Sequence, residues 1–298
     1  MEVRHLELLR DLRDRGTLVA VADATFRTPS ALSQQLRTAE RELGVRLVEP
    51  ASRGLRLTWA GQVLADGADD VLGVLAQLQA QVDAGRGAPS GVVHVGTLPS
   101  AGAALLPPVL RRLEGSLITV EISDYDLAEA DFAVRTADAD LVIAHSLTTD
   151  VPQGAQGLLS RVIAREPIDV GVPRDHPLAG REALRPEDVV GEPWISVPRG
   201  FPFASVLEAV EAVTGRGLHR IVQIRDNRLA ESLVSEGLGF ALLPRFSTPE
   251  SAGYRLVPLE GVRSVRTIVA LARPDRVERR AVATVLDLLA EVGEALSS

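Results

Sequence analysis

The stretch from Thr28 to Gly44 constrains the chain most, because it marks both ends of one helix. Thr28 can cap the amino terminus, Pro29 suits the first helical position, and Gly44 stands where a carboxyl-terminal cap needs a left-handed residue. At about 100° per residue, apolar side chains fall in one narrow sector, at Leu32, Leu36, Ala39 and Leu43. The pattern predicts a capped helix that packs along a single face.

The opposite face of this helix carries small hydrogen-bonding side chains near its start and only arginines further along. Its members are Ser30, Ser33, Gln34, Arg37 and Arg41. Such a face suits the base edges and phosphates of DNA. An ordinary amphipathic surface helix is the alternative interpretation, and the flanking sequence has to decide between the two.

Two short helical patterns precede this helix, at Leu6–Leu12 and Leu18–Ala22. Arg15-Gly16 separates them, and a tight turn follows at Thr25–Arg27. The order helix, helix, tight turn and capped helix is that of a helix-turn-helix, in which Thr28–Gly44 is the recognition helix.

Apolar residues at 45–48 and 54–57 flank a turn with Arg53 at its tip, which predicts a two-stranded wing. Residues 1–58 are therefore predicted to form a winged helix-turn-helix domain. They hold ten arginines and eight acids, a net charge of +2, whereas the whole chain carries −8, which leaves −10 for the rest. A DNA-binding surface must therefore be local and lie in this first domain.

Residues 59–86 predict one long helix that begins after a Thr58 cap. Apolar side chains recur along it at spacings of 4, 3, 4, 3 and 4, which is the seam of a coiled coil. The seam consists of Leu64, Ala68, Val71, Leu75, Leu78 and Val82. Pairing with a second copy is the favoured interpretation, and packing within its own domain is the alternative. Residues 87–91, Gly-Ala-Pro-Ser-Gly, predict a hinge.

From residue 92 the pattern changes to alternating strands and helices, which predicts an α/β fold overall. We expect two small lobes, lobe I at about residues 92–158 and 267–298 and lobe II at about 159–266. The predicted elements include helices at Ala103–Leu113, Leu127–Arg135, Pro202–Thr214 and Val277–Leu296, and separate strands at Leu159–Ala164 and Ile168–Val172.

Composition excludes several classes of protein. The chain has no cysteine, so disulfides, thiolate nucleophiles and cysteine metal sites are excluded. We find neither an apolar signal segment nor a run of membrane-spanning length, and we expect a cytoplasmic protein without membrane contact.

The histidines stand singly, with no spacing typical of metal ligands, at positions 5, 94, 145, 176 and 219. No glycine-rich phosphate loop follows a strand, so we expect no enzyme, no metal and no cofactor.

These residues together resemble the LysR-type transcriptional regulators over the whole chain. The most specific part is Arg15–Gly61, with TPSALSQQL in the recognition helix, Ala39–Gly44 at its end, and Leu55–Thr58 followed by Ala60-Gly61. In the second half, Asp175–Leu178 and Gly237–Pro244 are similar to family landmarks. The family commonly has an aromatic residue and a basic residue where this chain has Val48 and Pro50.

The resemblance implies a winged helix-turn-helix, a dimerising linker helix and a two-lobed effector-binding domain like a periplasmic binding protein. The implied function is transcriptional regulation through double-stranded DNA at an interrupted inverted repeat, modulated by a small-molecule effector. Linker-helix dimers of the family often pair again into homotetramers. Neither activation nor repression is implied.

For DNA contact, the face of the recognition helix and the resemblance agree best at Ser33 and Gln34. Thr28 and Ser30 join them at the start of the helix, near bases or the adjacent backbone. Arg37 and Arg41 are expected on phosphates, and Arg53 is expected to reach phosphates or the minor groove from the wing.

For the effector, we expect a cleft between the lobes, where strand ends meet helix starts. The candidate residues are Thr97, Leu98, Pro99, Ser100, Asp124, Arg199, Phe201, Pro202, Arg225 and Asn227. Arg199 or Arg225 could pair with a carboxylate, which favours an organic acid or an amino acid. Alternatively, Ser100 only caps a helix and Arg225-Asp226 is a surface ion pair. Asp124–Asp126 would instead favour a cationic or hydroxylated ligand.

Two functions other than regulation stay open from the sequence. A free-standing solute-binding protein would explain two lobes, but it needs a secretion signal and has no use for a winged first domain. A coiled-coil scaffold would explain the seam but leaves the α/β half without a purpose.

Overall fold

The chain begins with three helices, α1 (Val3–Arg15), α2 (Leu18–Thr25) and α3 (Pro29–Leu43). They belong to a computed structural model that describes residues 1–51, 54–85, 87–125 and 132–297. We call residues 1–58 the head. Its core is formed by leucines of α1, the buried face of α2 and the apolar stripe of α3.

The recognition helix α3 has the ends predicted for it. The Thr28 hydroxyl accepts a hydrogen bond from the Ala31 amide at 3.3 Å, and Gly44 has a φ of 69°. Leu43, however, is exposed rather than packed, and Gln35 is buried instead. The Gln35 side chain donates to the Arg4 carbonyl and accepts from Arg27, so it ties α3 to α1 and to the turn.

The wing consists of β1 (Val48–Pro50) and β2 (Leu55–Leu57), paired antiparallel. Its first strand begins at Val48 and not at residue 45, because the preceding residues lead out of the Gly44 cap. Val48, in the position where the resemblance suggested an aromatic residue, is buried in the head core. Ser52 and Arg53 lie outside the described residues.

The linker helix is α4 (Trp59–Ala84), which Thr58 caps by accepting from the Gly61 amide at 3.2 Å. It ends before the predicted Arg86, which lies outside the described residues. The seam is divided between two environments. Leu64 and Ala68 pack against Leu6 of the same chain, so these two predicted interface residues are already covered. The second part of the seam is exposed, at Val71, Leu75, Leu78 and Val82.

The second half alternates strands and helices. Its strands are β3 (Ser90–Thr97), β4 (Leu117–Asp124), β5 (Leu141–Ser146), β6 (Leu159–Pro173), β7 (Pro193–Ser196), β8 (His219–Gln223), β9 (Phe240–Pro244), β10 (Tyr254–Val257) and β11 (Val265–Ala272). Its α-helices are α5 (Pro99–Arg112), α6 (Pro186–Val189), α7 (Pro202–Thr214), α8 (Asn227–Ser235), α9 (Pro274–Val277) and α10 (Arg280–Ser297). The bounds of α7 are those predicted.

The strands form one connected sheet in the order β4-β3-β5-β11-β6-β9-β7-β8, and β10 pairs with β6. Strand β6 is continuous where two strands, Leu159–Ala164 and Ile168–Val172, were predicted. Its residues 159–167 pair with β11, and its residues 168–173 pair with β9 and β10. The predicted lobe boundary after residue 158 is therefore wrong. Lobe I keeps the strand as far as residue 167, because pairing with β11 continues up to Pro167.

Three predicted helices differ from the structure. Helix α5 begins at Pro99 rather than Ala103, because proline fits the first helical turn. The predicted helix Leu127–Arg135 falls largely on residues 126–131, outside the described ranges, and the next described element is the 3-10 helix Ala133–Ala137. Helix α10 begins at Arg280 rather than Val277, after the separate turn of α9.

Each lobe has a core of its own. In lobe I, β3, β5 and β11 pack against α5 and α10. Gly293 of α10 lies so close to β6 that a Cβ atom would come within 2.1 Å of the Ile163 carbonyl oxygen, so only glycine permits this approach. In lobe II, Trp194 and Phe240 are fully buried. No helix within the described ranges is long and apolar enough to cross a membrane.

Candidate DNA-binding face and interlobe cavity

The outer face of α3 presents the predicted DNA-contact residues to solvent. Thr28, Ser30 and Gln34 are exposed, and the hydroxyls of Thr28 and Ser30 lie 3.1 Å apart. Ser33 is half-buried. The side chains are thus gathered at the start of the helix, which is the part that enters the major groove in helix-turn-helix proteins.

The arginines of the same face are free to meet phosphates. Arg37 and Arg41 are exposed, and neither has an ion-pair partner among the residues that the structure describes. The acids of α3 are engaged elsewhere. Glu40 accepts from the Leu47 amide at 2.9 Å, and Glu42 lies 2.9 Å from the terminal amine. The hydrogen bond from that amine lowers the pKa of Glu42.

A cavity of about 490 Å³ lies between the two lobes, a size typical of small-molecule sites. Predicted effector residues that line it are Leu98, Pro99, Ser100, Asp124, Phe201, Pro202, Arg225 and Asn227. They come from the starts of α5, α7 and α8 and from the end of β4. The structure therefore brings these eight predicted residues together at one place.

Two predicted effector residues are not in the lining. Thr97 is buried, donates from its hydroxyl to the Leu98 carbonyl at 3.0 Å, and lies against Gly102 of α5. Arg199 is exposed, and its charge acts on Glu211 rather than on the cavity. Hydrogen bonds from Arg220 lower the pKa of Glu211 to about 2, and the charge of Arg199 adds a smaller contribution.

An ion pair that the sequence reasoning missed reaches the cavity through Arg266, which is one of the lining residues. The side chains of Glu166 and Arg266 are each only 1% exposed, and Arg266 Nη2 lies 2.5 Å from Glu166 Oε2. The same Nη2 donates to the Ser100 hydroxyl at 3.0 Å. Glu166 Oε1 also accepts from the Phe246 amide at 2.6 Å. The pair thus joins β6 and β11 to Ser100 at the start of α5 and to Phe246 after β9.

His145 at the end of β5 is a second missed residue. Its Nδ1 lies 3.4 Å from Arg266 Nη1, and its ring stands edge-on to Phe132 with the centroids 5.8 Å apart. Burial, and next the charge of Arg266, hold the pKa of His145 well below its usual value. The imidazole is therefore neutral at pH 7.

The cavity has an end suited to an anion. The Leu98 side chain provides no cap for α5, so the first turn of this helix presents its partial positive charge next to Ser100. Arg266 adds a guanidinium at the same place. Towards lobe II, Arg228 and Glu231 pair at 3.0 Å. The arrangement suits binding of a carboxylate. No cluster in the described ranges has enough histidine or acidic side chains to hold a metal ion.

A signal for the missed pair is visible in the sequence. Glu166 and Arg266 each place a charge within a largely apolar strand, at VIAREPIDV and SVRTIVALA, and in the first of these Arg165 and Asp169 are charged as well. Charged residues are almost never fully buried unless paired, so two such interruptions predict a buried ion pair. What the sequence does not give is that the strands β6 and β11 are neighbours.

A winged helix-turn-helix followed by a two-lobed α/β domain with an interlobe cavity defines a ligand-responsive DNA-binding protein. The family model described as "Bacterial regulatory helix-turn-helix protein, lysR family" matches residues 3–62, and the one described as "LysR substrate binding domain" matches residues 86–294. The chain belongs to the LysR family of DNA-binding transcriptional regulators.

The similarity to relatives and to solved structures extends over nearly the whole chain. A hydrogen peroxide-inducible genes activator of Pectobacterium carotovorum is 28% identical over 92% of this chain and 91% of that protein. The regulator GltC of Bacillus subtilis is 26% identical over 90% of this chain and 89% of that protein. A full-length OxyR variant of Pseudomonas aeruginosa is 20% identical, with a TM-score of 0.70 over 97% of this chain and 94% of that one. CbnR in complex with its target DNA has a TM-score of 0.56 at 18% identity, covering 98% of this chain and 100% of that one.

Proposed function

We propose that the outer face of α3 reads the operator sequence. Gln34 and Ser33 contact base edges, Thr28 and Ser30 contact bases or the adjacent backbone, and the arginines contact phosphates. Arg53 completes the set from the wing. The observation that supports this assignment is that Thr28, Ser30, Gln34, Arg37 and Arg41 are exposed on one face of α3, with Glu40 and Glu42 engaged elsewhere.

The chain assembles as a homodimer through the second part of α4. Leu75 is 42% exposed and Leu78 is 53% exposed on a helix whose first part is already packed on its own head. Pairing of these faces would bury them, as in a coiled coil. Two heads joined in this way recognise an interrupted inverted repeat, because a two-fold dimer mirrors its site. Pairing of effector domains then gives a homotetramer.

The interlobe cavity binds a small organic acid or an amino acid. The single observation that carries this proposal is the Arg266 guanidinium at 3.0 Å from Ser100, beside the start of α5. The carboxylate of the ligand sits there, and its other polar groups face Asp124. Closure of the lobes over the ligand favours one arrangement of the two heads. The chain binds this ligand without converting it.

Three of the solved neighbours are OxyR proteins with cysteine substitutions, and one of them is described as bound to H2O2. This chain has no cysteine, so it cannot form a thiol or disulfide switch of its own. Sensing through non-covalent binding in the cavity is the alternative that its residues support.

A thermal-shift screen of the full chain against organic acids and amino acids tests the ligand class. A ligand at a hundred times its Kd should add about 2.7 kcal/mol of stability. Ser100→Ala should reduce this shift, whereas Arg199→Ala, at an exposed site outside the cavity, serves as the control and should retain it. A shift that persists unchanged in Ser100→Ala would place the ligand elsewhere.

Sedimentation of a Leu75→Asp, Leu78→Asp variant tests the assembly. Burying unpaired charge in the seam is costly, so we expect a smaller species that no longer shifts the DNA upstream of its own gene. The control carries Gln62→Asp and Gln81→Asp, which add the same charge outside the seam. If the seam variant sediments at the parental size, α4 is not the interface.

A further inference from the structure

The head contacts the effector domain of its own chain through charged side chains. Three ion pairs cross between them, joining Arg10 to Asp275, Arg15 to Asp138 and Arg273 to Asp14. In two of them the arginine belongs to α1, and in the third the arginine belongs to the effector domain. Each surface, that of α1 and that of the effector domain, therefore carries both arginine and aspartate, and the two surfaces are complementary in charge.

The pairs differ in exposure, and Arg10 Nε, Arg15 Nε and Asp275 Oδ1 are buried without a hydrogen-bond partner among the described residues. Arg10 Nη1 donates to Asp275 Oδ2 at 3.1 Å, and both side chains are largely buried. Arg15 Nη2 lies 2.6 Å from Asp138 Oδ1 and donates to the Ala137 carbonyl at 3.0 Å. Asp138 is 43% exposed, so salt can screen its pair with Arg15, whereas the more buried pair of Arg10 and Asp275 is screened less.

The head moves together with the start of α4. Arg13 of α1 donates to the Ala65 carbonyl at 3.1 Å and to Asp69 at 3.0 Å, and Leu6 packs on Ala68. The joint that can change angle therefore lies at residues 87–89, between α4 and β3, because the predicted hinge residues Ser90 and Gly91 belong to β3. The cross-domain ion pairs and the hydrogen bond from Gln77 of α4 to Glu278 hold the angle at this joint.

The partners of the head lie at the ends of two strands that also reach the effector cavity. Asp138 shortly precedes β5, whose other end carries His145. Arg273 follows β11, whose other end carries Arg266. The two strands are antiparallel neighbours, with Val142 opposite Leu271. Each strand therefore has a cavity residue at one end and a head contact at the other.

The contact segment is held rigidly to lobe I. Asp140 is buried and accepts from Arg279 at 2.8 Å, from Arg276 at 3.2 Å and from the His94 amide at 3.0 Å. A movement of β5 or β11 must consequently move residues 273–279 with it.

We propose that these three ion pairs form an ionic latch, which docks the head on lobe I and transmits changes at the interlobe cavity to the DNA-binding face. Polar interfaces of this kind separate readily. The hinge therefore has two states, one in which the head is docked on lobe I and one in which it is released. The transmission from the cavity rests on the proposed effector site. The docking itself does not.

Energy transfer between two dyes tests the docking. Because the chain has no cysteine, Val19→Cys in the head and Glu114→Cys in lobe I would be the only thiols. Both sites are exposed. The labelled protein is diluted into excess unlabelled protein, so that transfer is measured within one protomer. We expect Asp138→Arg to lower the transfer efficiency and the charge swap Arg15→Asp, Asp138→Arg to recover it.

The control is Arg161→Asp, which reverses a charge in an ion pair within lobe I, Arg161–Asp287 at 2.6 Å. It should leave the transfer unchanged. Raising NaCl from about 0.05 M to about 0.5 M should lower the transfer in the unmodified sequence by screening. This second measurement needs no charge substitution and so cannot be confused with misfolding. Transfer that is insensitive to both salt and Asp138→Arg overturns the latch.

DNA binding tests whether the latch regulates. Relative to Arg161→Asp, the Asp138→Arg variant should bind the DNA upstream of its own gene about fivefold or more weakly, because coupling energies between sites are of this size. Reduced transfer with unchanged DNA affinity overturns the regulatory part. If the unmodified protein itself does not bind this DNA, the proposed function fails, while the transfer experiment still decides the docking.

Discussion

The DNA-binding face and the interlobe cavity use charge in opposite ways. On α3, Arg37 and Arg41 are exposed and have no ion-pair partners among the described residues. In the cavity, Arg266 is buried and already paired with Glu166. Arg37 and Arg41 can therefore bind phosphates without first breaking an ion pair, whereas a ligand in the cavity competes with interactions that are already satisfied.

This difference sets what each site gains on binding. Phosphates that meet exposed arginines release condensed counterions, so affinity comes easily but depends on salt. A ligand near Arg266 gains only the difference between its own contacts and those it replaces, because buried charges are costly to leave unpaired. Strong affinity is thus expected only from a ligand that matches the existing network.

The largest effect should come from breaking the buried pair. Glu166→Gln leaves Arg266 buried without a counter-charge, and we expect a loss of about 3–5 kcal/mol in the free energy of unfolding. Urea denaturation followed by circular dichroism measures it. The double variant Glu166→Leu, Arg266→Met should recover most of the loss, because apolar replacement of both partners leaves no unpaired charge.

The corresponding change on the DNA-binding face should leave folding intact. Gln34→Ala should cost about 1–3 kcal/mol of binding to the operator if the side chain makes a bidentate base contact. The same variant should unfold at the parental urea concentration, because Gln34 is exposed. Fluorescence anisotropy on operator and scrambled DNA measures the first quantity. Equal losses on both DNAs would assign Gln34 to the backbone rather than to the bases.

The buried His145 beside the cavity should make the stability of the protein depend on pH, which the exposed side chains of the DNA-binding face do not. Its pKa is well below the usual value in the folded chain, so the unfolded chain binds the proton first as pH falls. Stability is fully present above about pH 6.5 and declines below it, by at most about 1.4 kcal/mol per pH unit. His145→Gln should remove this decline between about pH 6.5 and 5.5 in denaturation curves. The control His219→Gln, at an exposed site, should retain it.

The smallest predicted effect concerns Phe26 in the head. Its φ is 53° and its side chain is 98% exposed, so it has a left-handed backbone without compensating packing. Asparagine tolerates this conformation better, and Phe26→Asn should stabilise the protein by about 0.5–1 kcal/mol. Phe26→Ala has no polar side chain that could hydrogen-bond to the local backbone, so it should give no such gain. An equal gain in both variants would mean that removing the exposed ring, not relieving strain, is responsible.

The head could be predicted from the sequence more completely than the cavity, for a physical reason. Thr28, Gln34 and Arg37 lie on one helix, so the 3.6-residue repeat alone places them on one face. His145, Glu166 and Arg266 come together only because β5, β11 and β6 are neighbours, and such long-range pairing has no local signal. Ser100 was found because the end of a strand and the start of a helix are adjacent in sequence.

The linker helix shows the limit of periodicity in a different way. The seam from Leu64 to Val82 has one spacing throughout, yet its first part is covered by α1 and only its second part is exposed. A repeat tells which side of a helix is apolar but not what covers it. Arg199 was misplaced for a related reason, since the sequence does not show that the chain between β7 and α7 turns this side chain outwards.

The shared strands β6 and β11 make lobe II an insertion within lobe I. Ser146 pairs with Thr267, so the sheet of lobe I cannot be completed until the chain returns from lobe II. During synthesis, the whole of lobe II must leave the ribosome before β11 can join β5. Such pairing across long stretches of chain slows folding, so lobe II should fold first while lobe I waits as an open, unfinished sheet. This interval is when the nascent regulator is most exposed to aggregation.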